Sequence, residues 1–324
     1  MKIAVTGSAG HLGEALVRSL RDSGLAVVGI DIQASNYTDV VGSISKRGLV
    51  KEVLEGCDSV LHTATLHKPH VGTHSRQDFI DTNISGTLVL LEEAVAANCK
   101  SFIFTSTTST FGGAMKPEAG QPAVWVTENL RPKPKNIYGV TKTAAEDLCE
   151  LFHHRTGLPC VVLKTSRFFP EPDDAIGQRD SFEDANLKVN ELLYRRVDLA
   201  DIVHAHLLAV QQAAQIGFER LILTSTTPFT RADAEELASD VPTVLKRYVP
   251  QYEEEYERRG WKMFQTLGRV YDNARARQLL GWNPEYTFSR AIELLSEERD
   301  YRSALSRDVG AKGYHGDRYR DGLY

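Results

Sequence analysis

Three glycines within the first thirteen residues constrain the fold of this chain more than any other feature. Gly7, Gly10 and Gly13 lie in the segment VTGSAGHLG (5–13), which joins a short apolar run, KIAVT (2–6), to a stretch with helical spacing of apolar residues. Glycine is needed there because the turn is tight and because the backbone must approach a pyrophosphate at the helix N-terminus. The pattern predicts a dinucleotide-binding turn rather than a plain strand–helix turn.

An acidic residue at the end of the second apolar run supports this interpretation. Asp31 closes LAVVGID (25–31), eighteen residues after Gly13, where its carboxylate can accept hydrogen bonds from both ribose hydroxyls of an adenosine. That carboxylate would repel a 2′-phosphate, which requires a nearby arginine, and residues 32–36 contain no cation. The sequence therefore predicts NAD rather than NADP as the cofactor.

Short apolar runs continue to alternate with helical patterns through residue 165. Long helices are expected over 76–98 and from Tyr138 onward, and the further predicted strands are DSVLHTA (58–64), SFIFTS (101–106) and PCVVLKT (159–165). This alternation predicts an α/β fold, a Rossmann-type doubly wound parallel sheet with helices on both faces.

The domain organisation follows from the place where this alternation ends. A length of 324 residues suits about two domains. We expect an NAD-binding Rossmann domain over 1–166 and a smaller, mainly substrate-binding region over 167–324, with 197–226 returning to the sheet. From Arg302 the chain is poor in aliphatic residues, as in many disordered tails. We nevertheless expect its tyrosines to pack on the body or on a partner; these are Tyr314, Tyr319 and Tyr324.

Charge and hydropathy exclude several classes of protein. With 38 basic and 43 acidic residues, the net charge of −5 gives no reason to expect nucleic acid or an anionic membrane as partner. No apolar run approaches the ~20 residues that span a bilayer, and a strand beginning at Lys2 leaves no room for a signal peptide. The four cysteines are far apart without a CxxC motif, which indicates reduced thiols and a cytoplasmic location.

A candidate acid–base pair lies in YGVTK (138–142). Tyr138 and Lys142 are four residues apart and share one face of the predicted helix. A phenol with a pKa of about 10 is a poor base at neutral pH, and a nearby ammonium favours the phenolate. Upstream, FIFTSTTSTFG (102–112) places hydroxyl side chains at the carboxyl end of the sheet, where ligands of open α/β sheets bind.

Together these motifs resemble the extended short-chain dehydrogenase/reductases, and among them the NAD-dependent epimerase/dehydratase family. The resemblance covers almost the whole chain, because further segments follow in the family's order: DSVLHTAT (58–65), NISGT (83–87), FTSTTSTFG (104–112) and ARQLLGWNP (276–284). It implies an enzyme that transfers hydride with NAD.

The resemblance also implies roles for individual residues. Thr107 would bind the reacting oxygen, Tyr138 would be the general acid/base, and Lys142 would hold the nicotinamide ribose and lower the pKa of Tyr138. Asn83 would position Lys142 through water. The further cofactor contacts expected are Gly7, Gly10, His11, Leu12, Gly13, Asp31, Ser43, Ile44, Ala64, Thr65 and Phe168.

Two departures from the family pattern concern the catalytic strand and the adenine loop. Thr108 and Ser109 occupy the positions of an Asp–Glu pair on which 4,6-dehydratases depend, so dehydration is not expected. Ser43 stands where the adenine loop often has Asp, which weakens the cofactor interpretation without removing it.

Two further departures disfavour a nucleotide sugar as the substrate. Pro170 takes the place of an Asn after the RFF run, and Tyr194 takes the place of an Arg that grips a substrate diphosphate. The segment between Pro170 and Val197 is also short for a nucleotide-binding subdomain. Arg195 or Arg196 could shift to compensate for the missing Arg.

An additional loop, LHKPHVGTH (66–74), follows the third long strand. Its histidines have a spacing that could bind a metal, but loops seldom enforce that geometry and no acidic partner is near, so no metal is predicted. We expect His67, Lys68 and His70 to bind a polar ligand, either anionic or polyhydroxylated, near the nicotinamide, together with Thr107, Thr108 and Phe169. The alternative is an ordinary surface loop.

These observations predict an NAD-dependent oxidoreductase or epimerase acting on a secondary alcohol or ketone of a polar, sugar-like small molecule. The alternatives are a nucleotide-sugar epimerase and a catalytically silent NAD-binding sensor or scaffold. Epimerisation and net oxidation use the same residues, so the sequence does not separate them. A homodimer is expected through apolar residues of two helices: Leu88, Leu91 and Val95 on one, and Ala144, Leu148 and Leu151 on the other.

Overall fold

The computed structural model describes residues 1–173 and 175–313. Its strands are β1 (Lys2–Thr6), β2 (Ala26–Asp31), β3 (Val40–Val41), β4 (Ser59–His62), β5 (Ser101–Thr107), β6 (Val124–Val126), β7 (Cys160–Thr165), β8 (Phe218–Leu223) and β9 (Arg269–Tyr271). Seven of them form one parallel sheet in the order β3-β2-β1-β4-β5-β7-β8. This order confirms the predicted Rossmann-type α/β fold.

Helices cover both faces of this sheet and extend beyond it. They are α1 (His11–Asp22), α2 (Arg47–Leu54), α3 (Arg76–Phe79), α4 (Gly86–Ala96), α5 (Ile137–Thr156), α6 (Ile176–Ser181), α7 (Asp184–Glu191), α8 (Leu199–Ile216), α9 (Ala234–Leu237), α10 (Val241–Tyr248), α11 (Tyr252–Arg259), α12 (Ala274–Leu280), α13 (Phe288–Ser296) and α14 (Ala304–Val309). One face packs against α1, α8, α12 and α14 around Leu16, Ile202 and Trp282. The other packs against α2, α4 and α5 around Phe102 and Cys149.

A separate, smaller core lies beyond the carboxyl ends of the strands. It buries apolar side chains from α7, α10, α11 and α13, among them Val189, Leu245, Tyr256 and Phe288. There β6 and β9 pair in parallel as a two-stranded sheet. Between segments of this smaller region, the chain returns to the large sheet, on whose face α8 packs and whose edge strand is β8. The cleft between the large sheet and the smaller region is therefore bordered by strand ends on one side and by β9 on the other.

The helix predicted over 76–98 is interrupted. Between α3 and α4 the chain makes a π-helical turn over Ile80–Ser85, and the buried Asn83 lies in this turn. π-Helical insertions occur mostly as single turns within α-helices and are common at functional sites. The spacing of apolar residues does not reveal such an insertion, because the helical pattern continues on either side of it.

One residue of the predicted dimer surface lies in the core of the chain instead. Leu91 is fully buried in the core of this chain, so it cannot contact a partner. On α5, Val140 and Leu151 are 50% and 48% exposed. The homodimer stays a prediction, which light scattering at micromolar concentration tests. Within the described ranges, no helix is long and apolar enough to cross a membrane. Tyr314, Tyr319 and Tyr324 lie outside the described residues.

Candidate active site

A cavity of about 590 Å³ opens at the carboxyl ends of β1, β2, β4, β5 and β7. It brings together most of the residues singled out in the sequence: Gly7, Gly10, His11, Leu12, Gly13, Asp31, Ser43, Ile44, Ala64, Thr65, His67, Lys68, His70, Thr107, Thr108, Tyr138, Phe168 and Phe169. Lys142 and Asn83 are buried behind its wall rather than on its surface. The strand ends therefore collect these side chains from distant parts of the chain.

The glycine turn leaves no room for side chains at two of its three glycines. Gly7 has a φ of +75°, and a Cβ there would lie 2.7 Å from the backbone nitrogen of Ala64. A Cβ on Gly13 would lie 1.9 Å from the carbonyl oxygen of Gly7. Helix α1 therefore begins directly against the end of β1, with its first N–H groups facing the cavity. This backbone fits a pyrophosphate at a helix N-terminus.

Asp31 lies beside the glycine turn and is held by backbone donors. Its Oδ2 accepts a hydrogen bond from the nitrogen of Ala9 at 3.0 Å, and its Oδ1 accepts one from the nitrogen of Gln33 at 2.9 Å. A carboxylate oxygen can accept more than one hydrogen bond, so both oxygens can still accept from ribose hydroxyls. The side chains here fit an adenosine without a 2′-phosphate.

Tyr138 and Thr107 meet in the wall of the cavity. Asn136 begins α5 by accepting a hydrogen bond from the nitrogen of Gly139 at 3.0 Å, which places Tyr138 in the first turn. Both side chains line the cavity. Burial raises the pKa of Tyr138 to about 12, and the neighbouring Thr107 side chain acts in the opposite direction. The phenol is therefore protonated at neutral pH.

Lys142 is buried one turn further along α5. Its Nζ donates a hydrogen bond to the carbonyl oxygen of Thr105 at 2.7 Å and lies 3.9 Å from the centre of the Phe104 ring. Burial lowers its pKa to about 7. Burial is the largest influence on the pKa of Tyr138, and the Lys142 ammonium is bonded to Thr105. The lowering of the Tyr138 pKa by Lys142 stays a prediction.

Asn83 ties the end of β4 to α5 by direct contacts. Its Oδ1 accepts hydrogen bonds from Thr65 Oγ1 at 2.9 Å and from the nitrogen of Leu66 at 2.8 Å. Its Nδ2 donates to Thr141 Oγ1 at 3.0 Å. Since Thr141 precedes Lys142, Asn83 fixes the turn of α5 that carries the lysine. The water expected between Asn83 and Lys142 stays a prediction.

A buried ionic network beneath Lys142 was not predicted from the sequence. Glu146, one turn after Lys142, accepts hydrogen bonds from Lys164 Nζ at 2.7 and 2.6 Å and from Ser106. Arg220 lies 3.3 Å from the same carboxylate. The carboxylate raises the pKa of Lys142, against the larger effect of burial. In the sequence, the four-residue spacing of Lys142 and Glu146 was the one sign that a carboxylate lies near the lysine.

The loop after β4 folds over one side of the cavity and is held by contacts among its own rings. The nitrogen of His67 donates to His70 Nδ1 at 3.0 Å, and the two rings are 4.4 Å apart. His67 also stacks on Phe169 at 5.7 Å, and Phe169 contacts His11 at 5.2 Å. In the described part of the chain, no group of three or more His, Cys, Asp or Glu residues is arranged to hold a metal ion.

The segment after β7 presents different residues from those expected. Arg167, rather than Pro170, lines the cavity, so a side-chain donor is present near the place where the sequence comparison found none. Arg195 lines the cavity and is paired with Glu191 at 2.6 Å, whereas Arg196 is buried against the same carboxylate. These pairs leave neither arginine free to move toward a substrate without breaking buried ion pairs.

The sequence analysis also missed the contribution of the smaller region to the cavity. Arg269 and Tyr271 of β9 line it, and so do Lys116 and Lys135 from the segments around β6 and α5. No local motif marks Arg269 or Tyr271. They reach the cavity through the pairing of β9 with β6, two strands that are far apart in the sequence.

Comparison of the sequence with known proteins identifies the family that the motifs indicated. Residues 3–182 match the model of the NAD dependent epimerase/dehydratase family. The chain is 28% identical over 327 residues to UDP-glucose 4-epimerase of Rhizobium meliloti (strain 1021), covering 90% of this chain and 94% of that protein. It is 26% identical over 355 residues to UDP-glucose 4-epimerase of Streptomyces lividans, covering 96% of this chain and 99% of that protein.

Solved structures share the fold. A short-chain dehydrogenase/reductase superfamily protein from Agrobacterium tumefaciens with bound NAD superposes with a TM-score of 0.66 at 23% identity, covering 92% of this chain and 96% of the other. UDP-glucose 4-epimerase with UDP-glucose from Thermotoga maritima gives a TM-score of 0.63 at 23% identity, covering 92% and 98%.

The lowered pKa of Lys142 predicts a pH-dependent effect on stability. Between a folded pKa of about 7 and the ordinary value near 10.5, the unfolded chain binds more protons, so the stability contribution of Lys142 rises with pH. At pH 6 the buried ammonium is destabilising, and we expect cofactor-free Lys142→Met to melt at a higher temperature than the wild type. That difference in Tm should narrow at pH 9.

Lys100→Met provides the control, because Lys100 is exposed and paired with Asp58 at the surface. Its Tm difference from the wild type should be the same at pH 6 and pH 9. If the Tm difference between Lys142→Met and the wild type is also the same at pH 6 and pH 9, the lowered pKa of Lys142 is contradicted.

Proposed function

The chain belongs to the NAD-dependent epimerase/dehydratase family, and we propose that it moves a hydride between NAD and a secondary alcohol of a sugar or sugar derivative. This proposal rests on one observation: Thr107 and Tyr138 lie side by side in a cavity that also contains the glycine turn and Asp31. A binding site and an acid–base group thus share one cavity, as hydride transfer to a dinucleotide requires.

The residues of the chain would bind and orient the substrate oxygen and move its proton. Thr107 and Tyr138 are neighbours in the cavity wall, so a substrate hydroxyl placed beside them can contact both. In the oxidation direction Tyr138 Oη takes the hydroxyl proton, and in the reduction direction it returns it. NAD, when bound, supplies the acceptor or donor of the hydride.

The protonation state of Tyr138 determines whether its side chain can donate or accept a proton. With a pKa of about 12, the phenol is a proton donor at neutral pH, which suits reduction of a ketone. Oxidation requires the phenolate, and the ammonium of Lys142 is the cation on the same helix face that can stabilise it. Epimerisation needs both directions in turn, so the same residues serve either outcome.

A compact sugar derivative is the first substrate class that we propose. Arg195 and Arg196 are both ion-paired with Glu191, and Tyr194 stands at the position where the nucleotide-sugar enzymes have an Arg. A nucleotide sugar is the second candidate, because curated relatives along most of this chain's length are named UDP-glucose 4-epimerases.

The loop over the cavity would contact the substrate through its histidines and Lys68. His67 and Lys68 line the cavity, and His67 is stacked on Phe169, so the loop and the segment after β7 form one wall. We also propose a cytoplasmic location, since all four cysteines are buried free thiols.

Replacing Tyr138 tests the acid–base role. Tyr138→Phe should lower turnover by at least ~10²-fold, the effect expected for a positioned acid or base. The Kd for NAD should stay nearly unchanged. Reduction of NAD is followed by absorbance at 340 nm with a panel of sugars, sugar acids and sugar lactones. Tyr248→Phe is the matched control, because Tyr248 is exposed and hydrogen-bonds Asp233 far from the cavity. Near-normal activity of Tyr138→Phe would remove Tyr138 from the mechanism, and the absence of activity in the wild type with every probe would favour a silent NAD-binding protein.

Replacing the loop histidines tests the substrate contact. The double variant His67→Ala/His70→Ala should lower kcat/KM by tenfold or more, equivalent to about 1.4 kcal/mol, because it removes two side chains from the cavity wall. The affinity for NAD should not change. His154→Ala serves as control, since His154 is exposed at the end of α5. Unchanged kinetics in the double variant would place the loop outside the substrate site.

A further inference from the structure

We infer that His62 is a positioning residue that connects the glycine turn to the helix of Tyr138 and Lys142, through a chain of hydrogen bonds with one direction. The inference rests on the proposed function, because it concerns how the two halves of that site are held together. His62 is the last residue of β4 and is fully buried. It lies behind the wall of the cavity rather than on its surface.

On one side, His62 contacts Thr6, which ends β1 directly before Gly7. Thr6 Oγ1 lies 2.7 Å from His62 Nδ1. The same oxygen accepts hydrogen bonds from the backbone nitrogens of Thr63 and Ala64, at 3.2 and 3.1 Å. A hydroxyl has two acceptor sites and one hydrogen, so the hydrogen of Thr6 is donated to His62 Nδ1. Thr63 and Ala64 line the cavity, and both lie against Gly7.

On the other side, His62 contacts Thr87 in the first turn of α4. His62 Nε2 lies 2.9 Å from Thr87 Oγ1. The Thr87 hydroxyl donates its hydrogen to the carbonyl oxygen of Asn83 at 2.7 Å, so its oxygen accepts from His62 Nε2. Both neighbours therefore specify the same neutral imidazole, in which Nε2 carries the hydrogen and Nδ1 is the acceptor.

The surroundings of His62 keep its ring neutral. Burial lowers the pKa of His62 well below its usual value, and the Lys142 ammonium acts in the same direction. Phe102 and Phe104 pack against the ring, with ring centres 5.8 and 5.3 Å away. A protonated ring would carry a second hydrogen on Nδ1, which would face the hydrogen of Thr6. Protonation of His62 would therefore break the chain on the side of the glycine turn.

From Asn83 the chain continues into α5. Asn83 Nδ2 donates to Thr141 Oγ1 at 3.0 Å. The Thr141 hydroxyl donates to the carbonyl oxygens of Ile137 and Tyr138, at 2.9 and 3.1 Å. Every donor in the chain thus points from the cavity wall at the glycine turn toward the first turn of α5. Hydrogen bonds arranged in one direction polarise and strengthen one another, so His62 links the two halves of the site.

The tautomer of His62 is the first test, and it uses the unmodified protein. In ¹⁵N-labelled protein, a ring nitrogen that carries hydrogen resonates far from one that does not. The signals of His62 are assigned by their loss in His62→Asn. At pH 7 we expect a neutral ring with its hydrogen on Nε2. A hydrogen on Nδ1, or on both nitrogens, would contradict the inference.

Two substitutions each keep one half of the chain. The amide of asparagine reaches the position of Nδ1, so His62→Asn keeps the contact with Thr6 and loses the one with Thr87. We expect it to lower kcat by about tenfold or more, because α5 is no longer held in place. Its Kd for NAD should stay near the wild-type value.

The amide of glutamine reaches the position of Nε2, so His62→Gln keeps Thr87 and loses Thr6. We expect it to raise the Kd for NAD by about tenfold or more, because Thr6 is left with an unpaired hydrogen beside the glycine turn. Its kcat at saturating NAD should stay near the wild-type value. The control Ser101→Ala removes a buried hydrogen bond to Ser59 between β4 and β5, at their amino ends, and should change neither constant.

A double-mutant cycle measures the link from His62 to α5 without any substrate. The free energy of unfolding in urea is compared for His62→Asn, Thr141→Val and the double variant. Independent residues give additive losses, whereas we expect the double variant to lose less than the sum of the single losses. Ser101→Ala combined with Thr141→Val is the control pair and should be additive.

The inference is overturned by the other tautomer, by additive losses in the cycle, or by half-variants that change kcat and the Kd for NAD alike. It is also overturned if neither half-variant changes either constant. A wild type that binds NAD but reduces it with no sugar probe contradicts the proposed function instead. In that case the tautomer, the Kd for NAD and the double-mutant cycle still decide whether His62 links the two halves.

Discussion

The close packing of Gly13 against the carbonyl oxygen of Gly7 is the contact on which the rest of the site depends. A side chain at Gly13 would overlap that oxygen, so only glycine lets α1 begin at the very end of β1. The first N–H groups of α1 then face the cavity, and Ala9 in the same turn holds Asp31. The predicted dinucleotide site therefore depends on backbone geometry, and the selection of the ribose by Asp31 stays a prediction.

The opposite half of the site depends on buried polar groups that reduce stability. Lys142 is almost completely buried, with a carbonyl oxygen and an aromatic ring as its nearest partners. Glu146 supplies negative charge nearby, and Lys164 and Arg220 balance that carboxylate. Replacing such groups by apolar side chains often stabilises a protein, so their presence fits a role in function rather than in folding.

Most of what the sequence could predict came from patterns of residues that are close together in the chain. The glycine turn, Asp31 and the spacing of Tyr138 and Lys142 are short-range features, and the structure brings Gly7, Asp31 and Tyr138 to one cavity. Features that depend on tertiary contact were missed. The π-helical turn at Ile80–Ser85 contains Asn83, which contacts α5 and the segment after β4, and Arg269 enters the cavity through a strand pair. Leu91 had the right spacing for an exposed stripe, yet the sheet covers it.

The measurement that most directly tests this account is calorimetric titration of NAD into the wild type, Gly13→Ala and Gly48→Ala, each shown to melt cooperatively. Gly48 is the matched control, because it lies in α2 and a Cβ there meets no atom within 4 Å. We expect Gly48→Ala to bind NAD with the wild-type Kd and Gly13→Ala to show no measurable binding. A Gly13→Ala variant that binds NAD as tightly as the wild type would contradict the placement of the cofactor on this turn.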